Sequence, residues 1–187
     1  NIFNIPIGKF LFLALVALFL FQASNMGVAD YAFELGKDIG LENTQISNIL
    51  TIANVISISG GALVYLIGTK YGRTLPLIIG ISMSSIFTFI LHYSDNVSIY
   101  FIANTITGIA WGFTIPYILG LCSTFDSHGQ MAALAGFISK MGLATGPLIG
   151  SLFIIDYGIE PIINIAVFSL IVAMIASWLS SRAIEQK

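Results

Sequence analysis

Six runs of predominantly apolar residues, each about 20 residues or slightly longer, follow one another along the chain with only short polar breaks between them. An α-helix needs that length to cross the hydrocarbon of a bilayer, and runs this long lack the alternation of a membrane barrel strand. They lie at Phe10 to Tyr31, Thr44 to Ile67, Thr74 to Tyr93, Val97 to Leu121, Gly129 to Ile155 and Pro161 to Ser180. Composition agrees: 57% of residues are hydrophobic and 9% charged, with a mean hydropathy of +0.94, whereas a soluble domain carries about a quarter charged residues. A core of 187 residues is too small to hide that much apolar surface, so lipid has to cover the rest. The expected fold is an all-α membrane protein, with residues 1–187 forming a single bundle of six transmembrane helices.

Charge placement orients the bundle. The turn Gly68-Thr69-Lys70-Tyr71-Gly72-Arg73 joins the second and third runs, and short loops rich in Lys and Arg are retained in the cytoplasm. With that turn inside, the inner side collects Lys9, Lys70, Arg73, Arg182 and Lys187 against Asp126 and Glu185. The outer side collects Glu34, Asp38, Glu42, Asp95, Asp156 and Glu160, with Asp30 near that surface, against Lys37 alone. Both termini then fall in the cytoplasm, in a plasma membrane or a bacterial inner membrane. The first run sits behind Lys9 like a signal-peptide core, but it continues through Gln22, Asn25 and Ala29 without a cleavage site. The chain begins with Asn1 rather than Met, from which a fragment or a processed chain is expected.

Polar and small residues within the runs mark candidate sites. At helical spacing Leu18, Gln22, Asn25, Met26 and Ala29 share one face. In lipid the amides of Gln22 and Asn25 would be unsatisfied, so that face should meet protein or water, either in interhelical hydrogen bonds or in a cavity. Asn54 lies with Ser47, Thr51, Ser57 and Gly61 and is a second cavity candidate. In the fourth run Asn104, Thr107, Gly108, Trp111 and Ile115 line one face, and Pro116 is expected to bend the helix. Trp111 falls near mid-membrane, where it either packs against aromatic neighbours or faces a substrate. Ala53, Ser57 and Gly61, and likewise Gly80, Ser84 and Thr88, recur every four residues and read as packing stripes.

The fifth run carries the most chemistry. Gly142, Gly146 and Gly150 surround Pro147, and with Ala135 and Ser139 they form a stripe smooth enough for another helix to rock over. On another face Ala133, Gly136, Ala144, Pro147 and Ser151 surround Lys140, the only basic residue deep in the membrane. A buried ammonium costs at least about 2.5 kcal/mol unless it meets water or a counter-charge. Lys140 therefore faces an aqueous cavity, where it attracts an anionic substrate group or changes protonation, or else snorkels to the surface or pairs with a carboxylate elsewhere. Leu134, Phe137, Ile138, Met141, Leu148 and Leu152 fill the remaining arc, toward lipid. The sixth run, with Asn164, Ser169 and Ser177 as its interior polar groups, reads as peripheral.

Enzymatic chemistry finds no support. Ser57-Ile58-Ser59-Gly60 lacks the first glycine of an intramembrane serine protease motif, His92 and His128 fall at opposite faces, and neither Gly-x-Gly-Asp nor His-Glu-x-x-His occurs. The single cysteine, Cys122, allows no intrachain disulfide and no thiolate cluster for a metal. No cofactor, metal or nucleic-acid partner is expected.

The six-helix layout resembles one half of a major facilitator superfamily transporter. The turn Gly68 to Thr74 is similar to that family's loop between the second and third helices, with Thr69 in place of an acidic residue and Thr74 in place of a basic one. Asn104 before Gly108 stands where the first half usually carries an arginine. These departures point to a C-terminal half. Gly142-x-x-x-Gly146-Pro147-x-x-Gly150 resembles the family's glycine-proline motif. The resemblance implies secondary active transport of a small organic solute, bound between two six-helix bundles that rock to alternate access. On that reading Gln22, Asn25, Asn54, Asn104 and Trp111 contact substrate and Lys140 supplies charge. Gly68, Lys70, Gly72 and Arg73 form a cytoplasmic gating turn, unless they serve only topology and lipid headgroups, and Gly142, Gly146, Pro147 and Gly150 form a rocking interface. The partners implied are the solute, anionic if Lys140 binds it, a coupling proton, the lipid bilayer, and a missing N-terminal half or a second copy of the chain. The alternative is a non-transporting or self-associating six-helix scaffold or pore.

Overall fold

A computed structural model describes residues 8–125 and 129–185. Asp126, His128 and Lys187, which entered the reading of charges and histidines, lie outside the described residues. Nine α-helices make up the described chain: α1 (Lys9–Ala29), α2 (Ala32–Asp38), α3 (Asn43–Ser57), α4 (Ser59–Ile67), α5 (Thr74–Ile90), α6 (Val97–Ser123), α7 (Gln130–Ser151), α8 (Ile154–Tyr157) and α9 (Glu160–Glu185). A single 3₁₀ turn, Leu91–Tyr93, extends α5. No strand occurs among the described residues. Among the described residues six stretches are long and apolar enough to span a membrane: α1–α2, α3–α4, α5 with its 3₁₀ turn, α6, α7 and α9.

Two of the six spans are interrupted, and neither interruption is at a proline. The first breaks at Asp30 and Tyr31, after which α2 resumes. The second breaks at Ile58, between Ser57 and Ser59. The proline-bearing α6 and α7 instead run on through Pro116 and Pro147. The fifth span ends at Ser151, short of the expected Ile155, with α8 following as a separate turn, and the sixth continues to Glu185, past the expected Ser180.

Helix α1 is the hub, packing on α7, α9 and α6, while α5 bridges α6 and α9, and α3 and α4 lie along α6. Because lipid is as apolar as leucine, such helices associate through close van der Waals contact rather than through exclusion of water. The glycines of α7 show how close the contact is. A methyl group at Gly142 would meet the Phe19 carbonyl and Cβ of Gln22, one at Gly146 the Ala23 carbonyl, and one at Gly150 the Tyr31 ring. The whole expected stripe, Ala135, Ser139, Gly142, Gly146 and Gly150, is buried. On α3–α4 the stripe departs from expectation: Ala53 and Ser57 face α6, but the third member is Gly60, which abuts the Ile109 carbonyl, while Gly61 has open space around it. The break at Ile58 accounts for the change in register.

Two apolar clusters occupy the two ends of the bundle. One, around Leu11, Leu15, Leu77, Tyr117, Leu121 and Ala176, fills the end carrying Lys9, Lys70 and Arg182. The other, around Val28, Leu35, Leu91, Tyr100 and Ile163, lies toward the acidic end. On α7 Phe137, Met141 and Leu148, and just past its end Leu152, are exposed as expected, whereas Leu134 and Ile138 pack against the first cluster. Helix α9 is less peripheral than its sequence implied. Leu170, Ala173, Ser177 and Ser180 are buried against α1 and α5, and only its opposite face, with Phe168 and Ile175, is open.

Candidate functional site

Between the break in the first span and the middle of α6 lies a cavity of about 510 Å³. Helix α1 supplies Asn25, Met26 and Ala29, α3 and α4 supply Asn54, Ser57 and Gly61, and α6 supplies Asn104, Thr107 and Trp111. Both helix interruptions border it, through Ala29 and Ala32 on one side and Ser57 and Ile58 on the other. Apart from its amides and hydroxyls the wall is apolar, and among the described residues no ionisable side chain lines it.

Four of the six residues expected at a cavity therefore meet at this one: Asn25, Asn54, Asn104 and Trp111. Their hydrogen-bonding states differ. Asn25 is engaged on both sides, its Nδ2 donating to the Phe21 carbonyl at 2.8 Å and its Oδ1 accepting from the Ser84 hydroxyl at 2.7 Å. Asn104 donates Nδ2 to the Tyr100 carbonyl at 2.8 Å, and its oxygen has no hydrogen bond among the described residues. Asn54 is exposed to the cavity and makes no hydrogen bond among the described residues. Thr107 Oγ1 is buried without a partner among the described residues. Side chains with unspent donors and acceptors in an apolar wall are the groups available to fix a bound molecule.

Gln22 stands apart from these. It is 2% exposed and does not line the cavity. Its Oε1 accepts from Trp111 Nε1 at 2.7 Å, and its Nε2 donates to Ser139 Oγ at 2.6 Å. Lys140 is separate as well. It is exposed on a flank of α7 away from the buried stripe, does not line the cavity, and has no hydrogen bond or ion pair among the described residues.

Sequence reasoning missed the hydroxyls of Ser84 and Ser139 as partners of Asn25 and Gln22. Both sit in small-residue stripes, where serine reads as packing. A buried amide on a facing helix is the signal that could have singled them out.

At the basic end, Gly68, Lys70, Gly72 and Arg73 form a turn that α6 and α9 both grip. Gly68 and Gly72 have φ of 54° and 71°, the left-handed region that favours glycine. Tyr117 donates its hydroxyl to the Gly68 carbonyl at 2.8 Å. The Glu185 carboxylate accepts from the backbone N–H groups of Arg73, at 2.6 Å, and Thr74, at 3.0 Å, and Thr74 Oγ1 donates to Ser181 Oγ at 2.8 Å. A methyl at Gly72 would collide with Glu185. The Lys70 ammonium lies over the Tyr71 ring, and the Arg182 guanidinium over that of Trp178.

Six spans packed around α1, a cavity at their junction and a doubly basic turn at one end define an integral membrane protein built as a half of the major facilitator fold. The chain belongs to the sugar (and other) transporter family, which it matches over residues 7–178. It is also similar to the quinolone resistance protein NorA of Staphylococcus aureus, in strains Mu50, N315 and MW2 alike. The identity is 27% over 121 residues, covering 61% of this chain and 30% of that protein. The chain thus spans under a third of the length of these relatives.

Proposed function

We propose that this chain is the C-terminal six-helix half of a twelve-helix secondary transporter, moving a small organic solute by rocking against an N-terminal half. The observation that carries the proposal is the cavity between α1, α3–α4 and α6. It joins an aromatic surface, Trp111, to the unspent groups of Asn54, Asn104 and Thr107. In an apolar wall such groups hold one orientation of a bound molecule.

In this reading Asn54, Asn104 and Trp111 contact solute and Asn25 shapes the wall. Lys140 lies off the cavity of this half, exposed on α7, so its charge serves the face presented to the other half, on a carboxylate there or on an anionic solute between the halves. The turn at Gly68, Lys70, Gly72 and Arg73 closes the cytoplasmic end, and Gly142, Gly146 and Gly150 are the surface on which α7 moves over α1. Both termini lie in the cytoplasm. A coupling proton is admitted, but among the described residues no carboxylate lines this cavity to carry it.

The test is transport by the full-length protein in proteoliposomes, with a radiolabelled monosaccharide and a fluorescent quinolone as probes. The expected result is movement of one probe, lost in Asn104→Ala and Trp111→Ala proteins of normal folded yield. Unaltered transport by both variants would remove the cavity from the solute path. Six-helix assemblies that conduct ions without saturating would favour a self-associating pore instead.

A further inference from the structure

Gln22 has the chemistry of a solute ligand but not the position of one. It is buried, lies behind Trp111 as seen from the cavity, and spends both ends of its amide on protein. The direction of that amide is fixed by its partners. An indole N–H can only donate, so the group facing it has to be the amide oxygen, and the NH₂ is then turned to the Ser139 hydroxyl. Three helices are joined by this bridge: α6 through Trp111, α1 through Gln22 and α7 through Ser139.

The bridge exists only because α7 comes very close. A methyl group at Gly142 would lie 2.7 Å from the Phe19 carbonyl oxygen and 2.8 Å from Cβ of Gln22. One turn earlier on the same face, Ser139 is thereby brought to 2.6 Å from the amide nitrogen. Lys140 follows directly, so the bridge also sets where that lysine leaves the helix.

We infer that Gln22 is a positioning residue which withdraws the Trp111 indole N–H from the cavity and ties it to α7, so that a solute meets the ring face of Trp111 and no donor there. This inference rests on the reading of the cavity as a solute site. Trp111 is 40% exposed, and its one polar atom is the atom turned away. Specificity follows: with the bridge intact, polar recognition falls to Asn54, Asn104 and Thr107. With it cut, the cavity gains a free N–H donor and α6 loses its hydrogen-bonded tie to α7 through Gln22.

The experiment uses the full-length protein with Trp111 as its only tryptophan, the others being replaced by phenylalanine, and its indole labelled with ¹⁵N. With Gln22 present, one downfield indole resonance that exchanges slowly with D₂O is expected. Gln22→Met, similar in length but without an acceptor, should move it upfield and speed exchange roughly tenfold. Gln22→Glu keeps an acceptor and should restore the downfield position. A wild-type resonance and exchange rate in Gln22→Met overturns the bridge. Should Gln22→Met not fold, Ser139→Ala carries the test: releasing the far end of the amide should raise exchange several-fold, and an unchanged rate overturns the bridge equally.

Transport of the monosaccharide or quinolone probe is measured in parallel. Gln22→Met should raise KM more than it lowers the maximal rate. If Trp111→Ala transports normally while the indole signal responds to Gln22, the solute reading fails and the bridge stands. If the indole signal is indifferent to Gln22 while Trp111→Ala abolishes transport, the reverse holds.

Discussion

The carboxylate of Glu185, at the end of α9, accepts the backbone N–H of Arg73, the residue just before α5, at 2.6 Å. The same oxygen takes the Thr74 N–H at 3.0 Å. Arg73 has no capping side chain of its own, so the last turn of the sixth span caps the first turn of the third. An anion at a helix N-terminus also meets the positive end of the helix dipole.

Loss of that cap should be visible as stability. Glu185→Ala is expected to cost about 1 kcal/mol, the usual worth of an N-cap. Thermal unfolding of the purified protein, followed by circular dichroism, should show a lowered midpoint that Glu185→Gln restores in part. Identical melting of Glu185→Ala and wild type would mean that the turn is held by Tyr117 and Ser181 without it.

Two glycines of α7 should behave in opposite ways. At Gly146 a methyl group runs into the Ala23 carbonyl, and helix backbones cannot yield as a flexible side chain can. Gly146→Ala should therefore destabilise by about 1–3 kcal/mol, the range for overpacking. At Gly136 nothing lies within 4 Å, and removing a mid-helix glycine should stabilise by about 0.5–1 kcal/mol. Melting midpoints that shift in the same direction for the two substitutions would contradict the close contact of α1 and α7.

Tyr31 sits in the break of the first span, donates its hydroxyl to the Pro147 carbonyl at 2.9 Å, and lays its ring on Gly150. Tyr31→Phe keeps the ring and deletes the bond, at a cost of about 1 kcal/mol. Hydrogen exchange should rise selectively in the second half of α7 and around residues 30–31. A uniform rise, or none, would show that the hydroxyl does not anchor the break.

Lys140 provides a clean functional test, since it has no partner among the described residues to lose. Lys140→Ala should leave folded yield unchanged and abolish uptake of the transported probe by proteoliposomes. Full transport by that variant would take Lys140 out of the mechanism.

Much of the fold was legible because the bilayer sets a length and a composition that few sequences meet by chance. The six spans, the basic turn with its two glycines, and the buried stripe on α7 all followed from local pattern. The short helix α2 that resumes after Asp30–Tyr31, where the first run was expected to end, and the break at Ile58 did not, because Ile58 lies in an unbroken apolar run with no proline to mark it. The displaced stripe on α3–α4, with Gly60 in place of Gly61, follows from the second break and was hidden with it.

Within the candidate site the same division applies. That Asn25, Asn54, Asn104 and Trp111 need something other than lipid is a property of their side chains, readable one helix at a time. Which of them keeps a free hydrogen-bonding group is not, because it depends on partners 59 positions away for Ser84 and Asn25, 89 for Trp111 and Gln22, and 117 for Gln22 and Ser139. The sequence by itself determined that these amides would face protein or a cavity rather than lipid, since an unpaired one in hydrocarbon is too costly to persist. Only the tertiary structure decided that Gln22 is satisfied by protein while Asn54 opens onto the cavity with no hydrogen bond among the described residues, because helix packing alone sets which side chains come within 3 Å of each other.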